Sequence, residues 1–203
     1  MRRAIEAVVA LKRTLPADVS PAGFLRAVLP FWNDDSNGDP VLRHIDPGHV
    51  LGASFQGWPS PDDPAALMDA LNGEAEQWRD TGVRGYHAAE YLQVGDMDFY
   101  VAHEGKNRVD LFAAHRRAIA AVVTPTPYPA PGALQLVECR PWGAWGVTST
   151  ATPDVVHPLP YPETMRPLLL AYGVRIGRPR WRWFAPIRTT RRRHEAISQR
   201  LRP

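Results

Sequence analysis

The residues best suited to chemistry form one short run, His-Glu-Gly-Lys-Asn-Arg, which begins at His103. Glu104 supplies a carboxylate that can hold a divalent cation or act as a base on water, and His103 can orient that water. Lys106 and Arg108 supply two cations, and arginine can hold phosphate oxygens with two parallel hydrogen bonds. Gly105 supplies the backbone freedom that a sharp turn needs. The run therefore predicts a site for a phosphate group, with Mg²⁺ bridging that anion to the carboxylate.

Regular elements on both sides must position this run. A short β-prone segment ends at Val101, and Val109 and Phe112 are spaced to share one face of a helix. The β-branched segment Ile119–Val123 then returns as a strand. A glycine turn that leads into a helix leaves backbone N–H groups unpaired, and such groups favour an anion. Asn107, inside the turn, is a further candidate for orienting phosphate.

The charged residues are distributed unevenly along the chain. All but two of the 24 basic residues are arginine, so the lysine in the turn is conspicuous. The segment Ala171–Pro203 carries ten arginines and one acid, whereas the whole chain has a net charge of +3. The first 170 residues are therefore mildly acidic and the end strongly basic. Such asymmetry points to nucleic acid or another acidic partner.

The C-terminal segment interleaves arginine with aromatic residues. Cations that meet phosphates and rings that stack on bases are the features of single-strand binding, at ~1–3 kcal/mol per stacked base. A second interpretation stays open, in which the tryptophans belong partly to the core and the last arginines are a solvated basic end. Under the first interpretation the nucleic-acid contacts are Arg178, Arg180, Trp181, Arg182, Arg191, Arg192 and Arg193.

The order strand, Glu-Gly-Lys-Asn-Arg turn, helix and strand resembles the core of the ParB/sulfiredoxin superfamily, whose members bind nucleotide phosphates at a Gly-x-x-Arg turn. Upstream, His44–Pro47 resembles the opening strand of that core, and Pro64–Leu71 resembles the helix that precedes its motif strand. The resemblance covers Val41–Thr124. It implies an α+β fold with a ParB/sulfiredoxin-like core, which is a small mixed sheet with packed helices. An N-terminal helical segment and a basic C-terminal extension would flank this core.

Two departures from the superfamily argue against two of its activities. Sulfiredoxin carries a catalytic cysteine inside the turn, whereas Lys106 and Asn107 stand there in this chain, and its single cysteine is Cys139. Chromosome-partitioning ParB proteins carry Gly-Glu-Arg-Arg and a following helix-turn-helix domain, and nothing after Val123 is typical of one. Sulfinic acid reduction and chromosome partitioning are therefore not expected.

Within the superfamily, a single small domain with an arginine-rich tail is most similar to plasmid fertility-inhibition proteins of the Osa and FiwA type. That similarity implies a plasmid-encoded, cytoplasmic enzyme that hydrolyses ATP, cleaves DNA as a DNase and blocks conjugative transfer of another element. Its partners would be DNA and the conjugative coupling or secretion machinery. The resemblance implies that the nucleotide is bound by Gly105, Lys106, Asn107 and Arg108. The chemistry of the neighbouring residues leads us to expect catalysis by Glu104, Arg108 and His103 and an Mg²⁺ ion at Glu104.

Two other functions fit the same residues. In the first, the protein is a non-catalytic DNA-binding regulator that a nucleotide switches, which predicts nucleotide binding without turnover. In the second, the protein is an interaction module whose arginine-rich end docks on an acidic surface of a transfer or secretion complex, which predicts no nucleotide binding.

The chain of 203 residues is long enough for one domain, or for one domain and a tail. We expect N-terminal helices over 1–40, the core over 41–124, a proline-rich linker with added strands and a helix packed on the core over 125–184, and a basic tail over 185–203. No apolar run approaches about 18 residues, so the sequence predicts no membrane span. A single cysteine suits a reducing cytoplasm.

Local patterns predict several elements around the motif. Val41–Val50 is expected to be the first core strand, and the segment 86–92 fits either a helix or a strand. Two strands between positions 134 and 149 either extend the first sheet or form a small hairpin. The helix that begins near position 64 is predicted to have an inner face of Leu67, Leu71 and Trp78.

Overall fold

The computed structural model describes residues 1–16, 19–36, 38–52, 62–83, 85, 87–141 and 143–181. These residues form an α+β structure with five α-helices and two mixed five-stranded sheets, which confirms the α+β class predicted from the sequence. The helices are α1 (Arg2–Arg13), α2 (Pro21–Val28), α3 (Pro64–Thr81), α4 (Arg108–Ala114) and α5 (Pro162–Tyr172). The strands are β1 (Val41–Ile45), β2 (Val50–Leu51), β3 (Ala89–Val94), β4 (Tyr100–Glu104), β5 (Ile119–Thr126), β6 (Leu134–Arg140), β7 (Ala144–Ser149), β8 (His157–Pro158), β9 (Arg175–Ile176) and β10 (Arg180–Trp181). None of the helices in these ranges is both long and apolar enough to cross a membrane.

The first sheet has the strand order β1-β5-β3-β4-β2, with β3 at its centre. Strand β3 pairs in parallel with β5 and antiparallel with β4, so α4 carries the chain from one side of β3 to the other. The connection between β4 and α4 therefore begins beside the central strand. The strand predicted over 41–50 is two strands instead, because Pro47 and Gly48 form a 3-10 turn that the Asp46 side chain caps through the Gly48 N–H at 2.9 Å.

The first sheet buries apolar side chains on both faces. Along β4, Tyr100 and Ala102 belong to a cluster that α3 and α4 cover, whereas Val101 belongs to a larger cluster on the other face. The larger cluster contains side chains from α1, α2, α5 and the second sheet. Phe112 and Leu25, one from each cluster, are fully buried, and each such side chain stabilises the fold by about 1.5–3 kcal/mol. The N-terminal helices are thus part of the packing between the two sheets.

Helix α3 packs on the first sheet through a different row of residues from the one predicted. Its fully buried residues are Met68 and Ala75, with Leu71 partly buried. Leu67 and Trp78, which the sequence placed on the inner face, are partly buried like Leu71, but only Leu71 of the three packs against the described core cluster. The reason is close packing at small residues, because Ala75 lies against two other buried alanines of the sheet region.

The second sheet is built on the hairpin of β6 and β7, which pair antiparallel with Leu134 opposite Ser149. The hairpin therefore forms a sheet of its own and does not extend the first. Strands β9 and β10 pair in parallel with β6, and β8 pairs with β7. The proline-rich linker begins later than predicted because β5 continues to Thr126, whose hydroxyl accepts a hydrogen bond from the Trp32 Nε1–H at 3.0 Å.

Candidate functional site

The turn between β4 and α4 is organised around Gly105. Its φ of +71° lies in the left-handed region, which glycine adopts without strain. Its carbonyl oxygen accepts a hydrogen bond from the Arg108 N–H at 3.2 Å, where α4 begins. A Cβ at this position would lie 2.7 Å from Arg108 Nε. The glycine is thus required both by the backbone and by the arginine that folds over it.

The Arg108 guanidinium points into the protein. Arg108 is 7% exposed, and its Nη2 donates to the carbonyl oxygen of His87, in the loop before β3. Burial lowers the pKa of Arg108, while the nearby Tyr91 and Glu74 act in the opposite direction. Its Nη1 is buried and has no hydrogen-bond partner among the residues that the structure describes. One side of the guanidinium is therefore bound, and the other keeps an unmet donor.

Tyr91 places a second unmet polar atom in the neighbourhood of that guanidinium. Tyr91 is 1% exposed, and its hydroxyl also lacks a partner within the described ranges. Burial raises the pKa of Tyr91 and the charge of Arg108 lowers it, so the two groups lie within electrostatic reach of each other. A buried polar group without a partner destabilises the fold by about 1–3 kcal/mol. An anionic or polar group that reached both atoms would remove that cost.

Replacing Tyr91 with phenylalanine is expected to raise the free energy of unfolding by about 1 kcal/mol, because it removes a buried hydroxyl without a described partner. Urea unfolding of the purified variant measures this change. Tyr172→Phe is the matched control, since the Tyr172 hydroxyl donates to the Pro129 carbonyl oxygen at 3.2 Å and its loss should lower stability. A Tyr91→Phe variant that also loses stability would mean that the Tyr91 hydroxyl has a partner.

The end of β4 brings His103 and Glu104 opposite a single residue of β3. Glu104 pairs with Glu90, whereas Ala102 pairs with Tyr91, so His103 is the extra residue of a β-bulge. Both His103 and Glu104 are exposed. Because bulges re-aim side chains and are common beside active sites, the bulge brings these two predicted catalytic residues to the same place, next to the turn.

Two glutamates, Glu90 and Glu104, are register partners at this bulge. Glu90 and Glu104 are directly opposite in the pairing register, and like charges in that position repel. Magnesium is commonly held by one or two carboxylates together with substrate phosphates, so this pair fits Mg²⁺ when a phosphate group supplies further ligands. In the described part of the chain, no three His, Cys, Asp or Glu side chains are grouped to hold a metal by themselves.

A polar cleft of about 260 Å³ opens beside the bulge. A cleft of this size holds several water molecules, and His103 in its wall can orient one of them. Its acidic side chains repel a bare phosphate, so the cleft suits water better than an anion. The cleft is lined by Asp34, Ser36, Glu90, Tyr91, Leu92, His103 and Thr124.

Lys106 and Asn107 complete the turn and are half-buried. Asn107 precedes α4 but does not cap it through its side chain. The Lys106 backbone packs closely on Gly52, where a Cβ would lie 2.8 Å from the Lys106 carbonyl oxygen. Because α4 has only seven residues, the positive charge at the turn comes from Lys106 and Arg108 and not from a long helix.

Those predicted nucleic-acid contacts that the structure describes lie on or beside strands of the second sheet, whereas the turn follows a strand of the first. Arg178 is exposed between β9 and β10, and Arg180 lies in β10, where its Nη1 donates to the Pro153 carbonyl oxygen. Trp181 of β10 pairs with Arg140 of β6. The structure therefore does not bring the two predicted sites together on one sheet. Outside the described residues lie Arg182, Arg191, Arg192 and Arg193.

Four arginines lie on or beside strands β9 and β10 at one edge of the second sheet, and we call this region the arginine edge: Arg140 of the neighbouring strand β6, Arg175, Arg178 and Arg180. Arg140 does not stand out in the sequence, because only the pairing of β10 with β6 brings it next to the edge strand. Charged side chains on an edge strand oppose strand addition by another chain. They also supply the cations that a nucleic-acid backbone requires.

Neither Tyr91 nor Glu90 stands out in the sequence, although both lie beside the turn. They belong to a segment that fits either a helix or a strand, and they approach the turn only through the pairing of β3 with β4. The one signal available for them is the period of two along a strand, in which alternate residues such as Ala89 and Tyr91 are buried.

The chemistry available at this site follows from its own groups. The turn offers two cations and a buried donor, and the bulge offers two carboxylates and a histidine. Such a set can hold a phosphate group and activate a water molecule. Comparison of the chain with protein-family models, with curated proteins and with solved structures found no match.

Proposed function

We propose that the protein binds ATP through its phosphates at the turn between β4 and α4 and hydrolyses it. The observation that carries this proposal is the Arg108 guanidinium, which is 7% exposed beside Gly105 and keeps Nη1 without a partner in the described structure. A phosphate oxygen is the kind of acceptor that a buried guanidinium binds strongly, because both partners are charged. The Tyr91 hydroxyl adds a neutral donor in the same neighbourhood.

Each remaining group at the turn has a chemical role in this proposal. Lys106 and Asn107 donate to phosphate oxygens. Glu104 is the Mg²⁺ ligand, and the ion when bound offsets the negative charge of the phosphates. His103 orients the attacking water, and one of the two glutamates paired at the bulge, Glu90 or Glu104, accepts its proton.

We also propose a ParB/sulfiredoxin-like core over Val41–Thr124. The elements β1, α3, β4, α4 and β5 support it, because they occur along the chain in the order that the resemblance requires, with β2 and β3 between them, and all the strands belong to one sheet. The second sheet and α5 lie outside the resemblance and pack on the other face of the first sheet. They would be additions to the superfamily core.

We further propose that the protein cleaves DNA and acts in the cytoplasm as a plasmid fertility-inhibition factor, as its similarity to the Osa and FiwA type implies. The arginine edge supports contact with DNA, and the sequence after position 181 adds seven more arginines. Hydrolysis of ATP and cleavage of DNA are both displacements at phosphorus, so one Mg²⁺-dependent site can perform both.

Purified protein is expected to hydrolyse ATP and degrade plasmid DNA with Mg²⁺ and to lose both activities in excess EDTA. Phosphate release and gel electrophoresis measure the two activities. Binding of ATP without turnover would make the protein a nucleotide-switched, DNA-binding regulator. Failure to bind ATP would mean that the turn has only a structural role. It would favour an interaction module that docks on a transfer or secretion complex. Activity that survives excess EDTA would contradict the metal role of Glu104.

A further inference from the structure

A groove of about 510 Å³ lies between the start of α1, the 3-10 turn after β1 and the connection from α4 to β5. Three arginines line it, Arg2, Arg116 and Arg117, and Asp46 is the one acid among its described lining residues. The remaining lining residues are small or apolar, such as Ala113. The groove contains no residue of the turn between β4 and α4, and it lies near the opposite end of α4.

Two of these arginines are held in place by neighbouring carboxylates. The Arg2 guanidinium binds Glu6 at 3.0 Å and Asp46 at 2.6 Å. The Arg117 guanidinium binds Asp69 at 2.5 Å. Because a guanidinium has five N–H donors in a fixed fork, each of these arginines keeps donors for another partner after such contacts.

Arg116 differs from the other two in its backbone and in its contacts. Its φ of +51° is in the left-handed region, which for a residue other than glycine stores about 1–3 kcal/mol of strain. Its side chain is exposed and has no ion pair among the residues with described positions. Arg116 therefore adds a cation without a described ion pair to a groove in which carboxylates orient the other two arginines.

We propose that this groove is a second anion site, which binds a phosphate group through Arg116 with Arg2 and Arg117 beside it. The phosphate belongs either to a DNA strand or to a free nucleotide, since both carry the group that a guanidinium fork recognises. The small apolar surface at Ala113 gives the attached sugar or base room to lie against the protein. This anion site is additional to the site of the proposed function. The choice of DNA and ATP as the two sources of the phosphate rests on that proposed function.

The test is an Arg116→Gly variant with two probes, a fluorescein-labelled single-stranded 20-mer of thymidine and ATP. Binding of at least one probe is expected to weaken about tenfold, which is the loss of one charged contact to phosphate. If the probe is DNA, the slope of log K against log salt should fall by about 0.7–1. The unfolding free energy should not fall, because glycine adopts a φ of +51° without strain.

Arg79→Ala is the matched control, since it removes one exposed arginine from the last turn of α3, outside the groove. Weaker binding of the DNA alone would identify a strand as the ligand, and weaker binding of ATP alone would identify a nucleotide. Three results would overturn the proposed anion site: unchanged binding of both probes by Arg116→Gly, an equal loss of binding in Arg79→Ala, or no binding of either probe by the wild type. If an Arg108→Gln variant keeps full ATP turnover while Arg116→Gly binds a probe more weakly, the proposed function is rejected. The proposal of an anion site in the groove would still hold.

Discussion

An Arg108→Gln variant is expected to hydrolyse ATP at least ~100-fold more slowly than the wild type, because a preorganised charge that meets a reacting phosphate typically contributes that much. Arg108 is suited to this role because its guanidinium is fixed on one side by the His87 carbonyl oxygen and has an unmet donor at Nη1. Glutamine still offers an amide donor to the His87 oxygen. The variant therefore removes mainly the charge and the fork geometry.

Arg108 also has a structural contact, so stability must be measured beside activity. Assays of Arg108→Gln should be made at a temperature where circular dichroism shows the variant fully folded. Arg79→Gln is the control of equal charge, because Arg79 is exposed at the end of α3. Wild-type turnover in a folded Arg108→Gln variant would make the arginine purely structural. It would also remove the observation that carries the proposed function.

The turn around Gly105 was predictable because its signals are local in the sequence. A short β-prone run, a glycine between polar residues and the spacing of Val109 and Phe112 all concern neighbours in the chain. The structure confirms a strand, a turn with Gly105 at positive φ and a helix in which both apolar residues are buried. Such patterns depend on backbone sterics and on helix periodicity, which operate over a few residues.

The direction of the Arg108 side chain was not predictable from the same pattern. A cation in a polar turn is usually solvated, yet here it folds inward because His87 offers a carbonyl oxygen and Glu74 and Tyr91 lie near. Those residues reach the turn through α3 and through the pairing of β3 with β4. The sequence contains no local trace of these contacts, because they depend on which strands pair.

The partner of Glu104 was hidden for a related reason. Glu90 lies opposite Glu104 only because the register of β3 and β4 shifts by one residue at the bulge. A slip of one residue changes which side chains face each other across a sheet, and turn and strand patterns alone do not fix a bulge. The sequence likewise did not decide whether the β6–β7 hairpin forms a second sheet, because a hairpin pattern does not show which strand edge it joins.

A Glu104→Gln variant is expected to lose ATP hydrolysis and DNA cleavage by at least ~100-fold while it still binds ATP without Mg²⁺. The carboxylate is the proposed ligand of the ion, and its amide is a much weaker ligand for a hard cation. Removing the negative charge also lessens repulsion of the phosphates, so ATP binding without Mg²⁺ should be equal or tighter. Phosphate release, plasmid degradation and a titration of ATP in EDTA measure the three quantities.

A Glu90→Gln variant distinguishes the roles of the two glutamates that are register partners at the bulge. Each variant removes one negative charge from this pair of register partners and keeps a side chain of the same shape. If both carboxylates hold the ion, both variants should need a higher Mg²⁺ concentration to reach half of their maximal rate. If Glu104 holds the ion alone, only the Glu104→Gln variant should need this higher concentration. Glu163→Gln, which removes an exposed acid from the first turn of α5, should leave the Mg²⁺ requirement unchanged. Wild-type rates and Mg²⁺ requirement in Glu104→Gln would show that the charge opposite Glu90 is not part of a hydrolytic site.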